Sequence, residues 1–184
     1  MKYLKGCLAK ILSIKKKGKV IDLGCGNGKL TKFFLVRGFD VVCVDKSEEV
    51  ISKLKKELKD FRKQVKIQKA KLENLSWKKN YDIVIAKNVL HLLRSKRKAL
   101  KLLNQIKKHT KMMGLNLIVG LTTRDPFYSK GKFFIKEKEM RRIYKGWKVL
   151  FFRSFSTGWE KHDDLPAHKH YVFIGLFQKQ ELEN

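Results

Sequence analysis

Proline, cysteine and acidic side chains are scarce in this chain of 184 residues, and each shortage closes off a class of structure. There are 2 prolines, no Ser/Gly-rich stretch and no repeat period, so nothing serves as a linker and a single domain is expected. The 3 cysteines, Cys7, Cys25 and Cys43, are an odd number and show no CxxC or Cys/His spacing. That pattern fits reduced thiols and argues against a disulfide framework or a resident metal. No apolar run approaches the length of a membrane span, and the lysine-rich N-terminus lacks a signal-peptide core with a cleavage site. The expectation is a soluble, cytoplasmic protein with no membrane partner, a monomer or a homodimer.

Acid is outnumbered most of all. Lys+Arg of 44 against Asp+Glu of 17 gives a net charge of +27 and a sequence pI near 10.1. Such a balance attracts phosphate backbones and small anions alike. The lysines are nevertheless spread over most predicted helices, for example Lys53, Lys55, Lys56 and Lys59, or Lys96, Lys98, Lys101, Lys107 and Lys108. They read as a general basic surface, which puts nucleic acid second to a small-molecule substrate as the partner.

Against this background one stretch organises the chain. Val20, Ile21 and Leu23 have the β-branched, apolar character of a central strand, which runs into Gly24-Cys25-Gly26-Asn27-Gly28. Leu30, Phe33, Phe34 and Leu35 then follow the spacing of a helix laid on a sheet. Glycines at 24 and 26 let the chain turn sharply and let a ligand approach the backbone, while the following helix aims unpaired N–H groups at the same place. A second strand, Asp40 to Asp45, ends in a carboxylate about 20 residues on, where dinucleotide folds place the acid that holds ribose hydroxyls. Strand, turn, helix and distant acid together predict a nucleotide-type site.

Elsewhere the periodicities alternate. Leu4, Leu8, Ile11, Leu12 and Ile14 predict an amphipathic helix over 1–17 beside the sheet. Ser47 reads as an N-cap with Glu48 and Glu49 in the first turn. Strands are predicted at 65–70, 83–85 and 115–120, a helix over 94–110, a short helix over 137–144, and a final antiparallel pair at 147–155 and 171–178. This alternation predicts a doubly wound, mostly parallel α/β sheet. His91, after the fourth strand, is read first as a satisfied histidine under the sheet.

Asp22-Leu23-Gly24-Cys25-Gly26-Asn27-Gly28 resembles the first motif of class I S-adenosylmethionine-dependent methyltransferases, an acid and an apolar residue followed by GxGxG. Phe133 to Trp147, with its two arginines Arg141 and Arg142, Tyr144 and Gly146-Trp147, is similar to a signature of the tellurite-resistance (TehB-like) methyltransferases. Asn116-Leu117-Ile118-Val119 adds to that likeness, which runs over roughly 18–179. The resemblance implies a Rossmann-like class I methyltransferase fold, a doubly wound seven-stranded mostly parallel sheet with one antiparallel edge strand. It divides the single domain into an N-terminal helix (1–17), a cofactor-binding core (18–121) and a substrate-side part (122–180).

The same resemblance implies S-adenosyl-L-methionine as cofactor, with Asp22, Gly24, Cys25, Gly26, Asn27 and Gly28 around its methionine end and Asp45 and Lys46 at the ribose. It places Ala86, Lys87 and Leu90 by the methionine moiety. The family's adenine-binding acid is replaced here by Lys71, which cannot accept that bond. Adenine recognition then falls to backbone groups around Lys71 and Leu72, with Glu73 a displaced substitute. For the acceptor, three of the five histidines crowd the loop 159–170. His162, Asp163, His168 and His170 have ligand chemistry for a metal. Alternatively, His162, His168, His170 and Lys169 form a wall that holds or deprotonates an oxyanion. The wall is preferred, because a sulfonium donor is already activated and methyl transfer needs orientation rather than a metal. The implied activity is methyl transfer to a small soft nucleophile, tellurite, selenite or a thiol. Methylation of RNA and non-catalytic cofactor binding stand as the alternatives.

Overall fold

Alternating burial along the central strands decides the architecture. In β1 (Lys19–Leu23) and β4 (Tyr81–Lys87), Val20, Ile83 and Ile85 join one apolar layer, while Ile21, Val84 and Ala86 join the other. Strands apolar on both faces must be covered on both faces. α1 (Lys2–Ile14), α2 (Lys29–Leu35) and α3 (Glu48–Glu57) cover the first layer through Cys7, Leu8 and Ile11, Phe34 and Leu35, and Leu54. α4 (Lys96–Lys108) and α5 (Glu137–Ile143) cover the second through Leu102, Leu103, Ile106 and Met140. Burial of Phe34 alone is worth about 2–3 kcal/mol. The computed structural model describes residues 2–160 and 166–181.

The remaining strands are β2 (Asp40–Asp45), β3 (Val65–Lys69), β5 (Thr110–Leu121), β6 (Trp147–Ser156) and β7 (Tyr171–Lys179), and the seven form one sheet in the order β3-β2-β1-β4-β5-β7-β6. β1 to β5 are parallel, and β7 runs antiparallel to both β5 and β6, so the pair β7-β6 closes that edge. The chain winds outward from β1 to β3 and then restarts at β4 on the other side of β1. That reversal opens a crevice between the carboxyl ends of β1 and β4, the usual ligand position in such sheets.

Local signals held. Ser47 Oγ accepts from Val50 N at 3.4 Å as the α3 cap, and Ser95 Oγ accepts from Lys98 N at 3.3 Å to start α4. β5 begins at Thr110, earlier than the sequence suggests, because Thr110 pairs with Tyr81 across a register shift and Met113 adopts φ +56°. Asn116 and Tyr144 are structural: Thr110 Oγ1 donates to Asn116 Oδ1 (2.7 Å), Asn116 Nδ2 donates to Tyr144 Oη (3.1 Å), and the Tyr144 ring stacks on Phe177 at 3.8 Å. Burial pushes the Tyr144 hydroxyl well above its ordinary pKa. Arg141 pairs with Glu137 at 2.8 Å on an exposed face. Among the described residues no helix is long and apolar enough to cross a membrane.

Candidate active site

The glycine turn is shaped from below. Gly24 has φ +67°, and a Cβ there would lie 2.2 Å from Val89 Cγ1, so the position admits neither the backbone strain nor the volume of a side chain. The Gly24 and Cys25 amides both donate to Val44 O (2.8 and 3.0 Å), the Gly28 amide to Cys25 O (3.0 Å), and the Gly26 amide to Asp45 Oδ2 (3.0 Å). Asp45 Oδ1 also takes Ser47 N at 3.0 Å, which fixes the carboxylate at the mouth of the turn. The amides of Gly24, Cys25, Gly26 and Gly28 are thus engaged inside the protein. What the turn offers a ligand there is carbonyl oxygen and carboxylate, which suits a cation better than a phosphate.

Gly24, Gly26, Asp45, Lys46, Lys71, Leu72 and Lys87 gather around one cavity of about 330 Å³ at the β1/β4 crevice. Val89, Leu92 and Leu93 complete its apolar side, and Glu73, held by Lys98 Nζ at 3.4 Å, lies at its edge. Six of the residues expected there do not line it. Asp22 is buried one layer behind, accepting from Thr31 Oγ1 at 2.8 Å. Burial pushes its carboxyl up to about 6, against the Thr31 bonds and the Lys87 charge. Cys25 is buried, its thiol held far above the usual range by the Cys43 thiol and by burial. Asn27 Oδ1 turns to Lys29 N at 3.3 Å, Gly28 starts α2, and Ala86 and Leu90 are fully buried in the core. The motif supplies the turn's shape more than its contacts.

A second cavity of about 410 Å³ opens on the far side of the β4 end. Lys87 and Asn88 line both cavities and form their shared wall. Apolar sides come from Leu4, Val119, Leu121, Phe155, Val172 and Ile174, and polar groups from His91, Thr157, Glu160 and His170. Of the three histidines expected at the acceptor, the structure brings His170 here. His168 packs edge-on against Phe127 at 4.8 Å, with Nδ1 2.8 Å from Pro166 O, and does not line the cavity. His162 and Asp163 lie outside the described residues. Lys169 Nζ sits 4.8 Å over the Trp159 ring. His91 corrects the sequence reading: its buried Nδ1 has no hydrogen-bond partner among the described residues, and burial lowers its pKa, which favours the uncharged ring.

Sequence reasoning missed Asp125. Its side chain is 0 % exposed, with Oδ1 accepting from Phe127 N (3.0 Å) and Oδ2 from Tyr171 N (2.9 Å) and lying 3.0 Å from His170 Nδ1. The one local signal is its place in Arg124-Asp125-Pro126, a turn just beyond the carboxyl end of β5, where such sheets carry site residues. A separate groove of about 590 Å³ is lined by Lys96, Lys130, Lys132, Lys136, Lys138 and Arg142 with Glu139, so part of the basic surface is gathered after all.

With this geometry in hand, the comparisons are specific. The family model described as "Tellurite resistance protein TehB" matches residues 4–166. A Haemophilus influenzae protein named "Probable S-adenosyl-L-methionine-dependent methyltransferase TehB" is 27% identical over 148 residues, covering 79% of this chain and 51% of that protein. The crystal structure of TehB from Haemophilus influenzae superposes with a TM-score of 0.82 at 25% identity, over 95% of this chain and 62% of that one. The N-methyltransferase NodS from Bradyrhizobium japonicum superposes with a TM-score of 0.76 over 98% of this chain and 96% of its own; at 12% identity it speaks for the fold alone. The chain spans about half the length of the curated relative it matches.

Proposed function

The chain belongs to the TehB family of tellurite resistance proteins, and from that premise we propose that it is an S-adenosyl-L-methionine-dependent methyltransferase acting on a small soft nucleophile, a tellurium or selenium species or a thiol. The observation that carries the proposal is the commitment of the glycine-turn amides to Val44 O and Asp45. A phosphate-bearing cofactor needs those donors; a sulfonium with an ammonium group needs the carbonyls and carboxylates that remain.

The residues fit the cofactor. Each Asp45 oxygen holds one amide and keeps a lone pair for a ribose hydroxyl. Backbone at Ala70 to Leu72, with Leu72, Val89, Leu92 and Leu93, gives a flat apolar seat for adenine in place of the missing acid. The buried Asp22 carboxylate behind the turn adds negative field once ionised. When bound, the cofactor supplies an activated methyl on a cationic sulfur. The protein's part is to exclude water, align the acceptor across the wall formed by Lys87 and Asn88, and set its protonation.

The test is a calorimetric titration of S-adenosylmethionine into the protein beside Asp45→Ala, then methyl transfer to tellurite, selenite and a thiol panel. Binding that is lost in Asp45→Ala, with volatile methylated product, is the expected result. Absence of binding in the parent protein overturns the reading. A second reading, methyl transfer to RNA, draws on the basic groove lined by Lys130, Lys132, Lys136, Lys138 and Arg142. Salt-sensitive RNA binding with methyl incorporation would promote it.

A further inference from the structure

We propose that the basic groove beside α5 is a binding track for single-stranded nucleic acid, which grips a strand by its phosphates and stacks one base, and that the bound strand is not itself methylated. Such a track is a second function of the fold, beyond methyl transfer.

The groove is built on an anchored floor. Phe133, Phe134 and Ile135 are buried in succession, Ile135 pairs with Thr122 just past the end of β5, and the Ile135 amide donates to Leu121 O at 3.3 Å. With these apolar side chains drawn inward, the lysines around them, Lys130, Lys132 and Lys136, are left at the surface, where Lys96, Lys138 and Arg142 complete the basic lining. Lys96 N donates to Gly131 O at 2.9 Å and Lys132 Nζ to Leu93 O at 3.3 Å, so the segment is tied to the start of α4 before any ligand arrives. That preorganisation removes part of the ordering cost of binding. Glu139 also lines the groove, but it accepts from Lys136 N at 3.0 Å and pairs with Lys96 Nζ at 3.2 Å. Lys130, Lys136, Lys138 and Arg142 form no ion pair among the described residues. Like charges gathered in one concavity call for a partner of repeated negative charge.

Shape and an aromatic ring say which polyanion. The groove of about 590 Å³ adjoins, through Thr123 and Lys136, a second depression of about 300 Å³ that Arg124 and Ser154 also line. A lone anion fills one of these, whereas a chain of phosphates follows both. Tyr128 lines the groove and is half exposed, its ring edge-on to Phe134 with 5.6 Å between centres and its amide donating to Asp125 O at 3.0 Å. An open aromatic face among lysines is the platform on which single-strand binders stack a base; in a duplex the bases are already stacked on each other. RNA and DNA strands share this chemistry. Among the described residues the groove has no lining residue in common with the two cavities at the β4 end. Phe134 stands between, since it lines the groove while its ring lies 6.4 Å from that of His91, which lines the second cavity. A base on Tyr128 is therefore held outside the wall that encloses methyl transfer.

The experiment measures fluorescence anisotropy of the full chain with labelled oligo(U) and oligo(dT) of about 12 nucleotides, a length within the span of single-strand binders, and with a duplex of equal length. Binding of either strand more tightly than the duplex is expected, and the tighter one tells whether RNA or DNA is the natural strand. Four unpaired cations predict that log affinity falls with log salt at a slope of about −3. Reversing Lys130→Glu, Lys138→Glu and Arg142→Glu together is expected to weaken binding at least tenfold, while the same change of net charge on α3, Lys53→Glu, Lys55→Glu and Lys56→Glu, weakens it less than threefold. If the groove triple does not fold, Lys130→Gln carries the test, with a slope shallower by about 0.7. Tyr128→Ala is expected to weaken the single strand at least fivefold and the duplex less than twofold, with Tyr128→Phe close to the parent. Equal losses from the groove and α3 reversals overturn the inference, because general charge then accounts for binding. An unaffected Tyr128→Ala overturns it, as does a duplex bound as tightly as a single strand. Methyl label passing from S-adenosylmethionine into the bound strand also overturns it and promotes the RNA-acceptor reading instead.

Discussion

The two cavities on either side of the β4 end are built in opposite ways. The cavity proposed for the cofactor takes its glycines and its acid from one turn and the next strand end, so the turn and Asp45 lie close in sequence and are joined directly by the Gly26 to Asp45 bond. The cavity proposed for the acceptor draws on α1, β4 and the loop after it, β5, the end of β6, the loop before β7 and β7 itself. His170, which lines it, and its partner Asp125 are 45 residues apart. The first is a local device that secondary structure alone nearly completes; the second exists only once the whole sheet has formed. A local change should therefore damage the first, while the second should respond to charge with the fold intact.

Four substitutions press on that contrast. Gly24→Ala should be the most damaging, since its Cβ meets Val89 Cγ1 at 2.2 Å on a left-handed backbone. A loss of about 3–4 kcal/mol in stability is expected from strain and overpacking together, with cofactor binding lost in titration. Asp22→Asn should act in the opposite direction. Asp22 has a pKa raised from 3.8 to about 6, so between those values the folded state holds a proton that the unfolded chain has released. Its contribution therefore makes stability fall as pH rises from about 4 to about 6, and stay level above. Asn removes that fall, and urea midpoints at pH 4 and pH 7 should show a gap narrowed by about 2–3 kcal/mol.

Lys87→Met touches the shared wall. Turnover is expected to drop about tenfold, from loss of one charge-assisted contact to the acceptor anion, while affinity for a cationic cofactor does not fall. A parallel loss of both would erase the proposed division between the cavities. Smallest is Tyr144→Phe, which leaves Asn116 Nδ2 short of its partner outside either cavity. It should cost about 1 kcal/mol in denaturant unfolding and leave both kinetic constants unchanged.

The same contrast explains what could be read from the sequence. The sheet's alternation, the Ser47 cap and the pairing of a glycine turn with Asp45 are short-range patterns, legible because each has a physical cause within one or two elements. Asp22 and Cys25 belong to that pattern, yet their burial behind the turn is set by Thr31 and Cys43, which the motif does not mention. The histidine-rich loop was read as an acceptor wall, but that His170 turns toward the second cavity depends on Asp125 and Thr157, partners fixed only by the β5–β7 and β6–β7 registers. His91 was misjudged for the same reason, because whether a polar atom has a partner is a property of packing rather than of spacing. Asn116 and Tyr144, prominent in the family likeness, turn out to hold the core together.

One wall of the acceptor cavity differs from the rest. Leu4 comes from the first turn of α1, where Tyr3 rests on the Phe155 ring at 4.8 Å, whereas the helix is anchored further along by Cys7, Leu8 and Ile11. Helix ends open at far lower free energy than a central sheet. Warming should therefore unseat the cavity's roof before the sheet melts, so that activity fades at a temperature where the circular dichroism of the molecule has not yet changed.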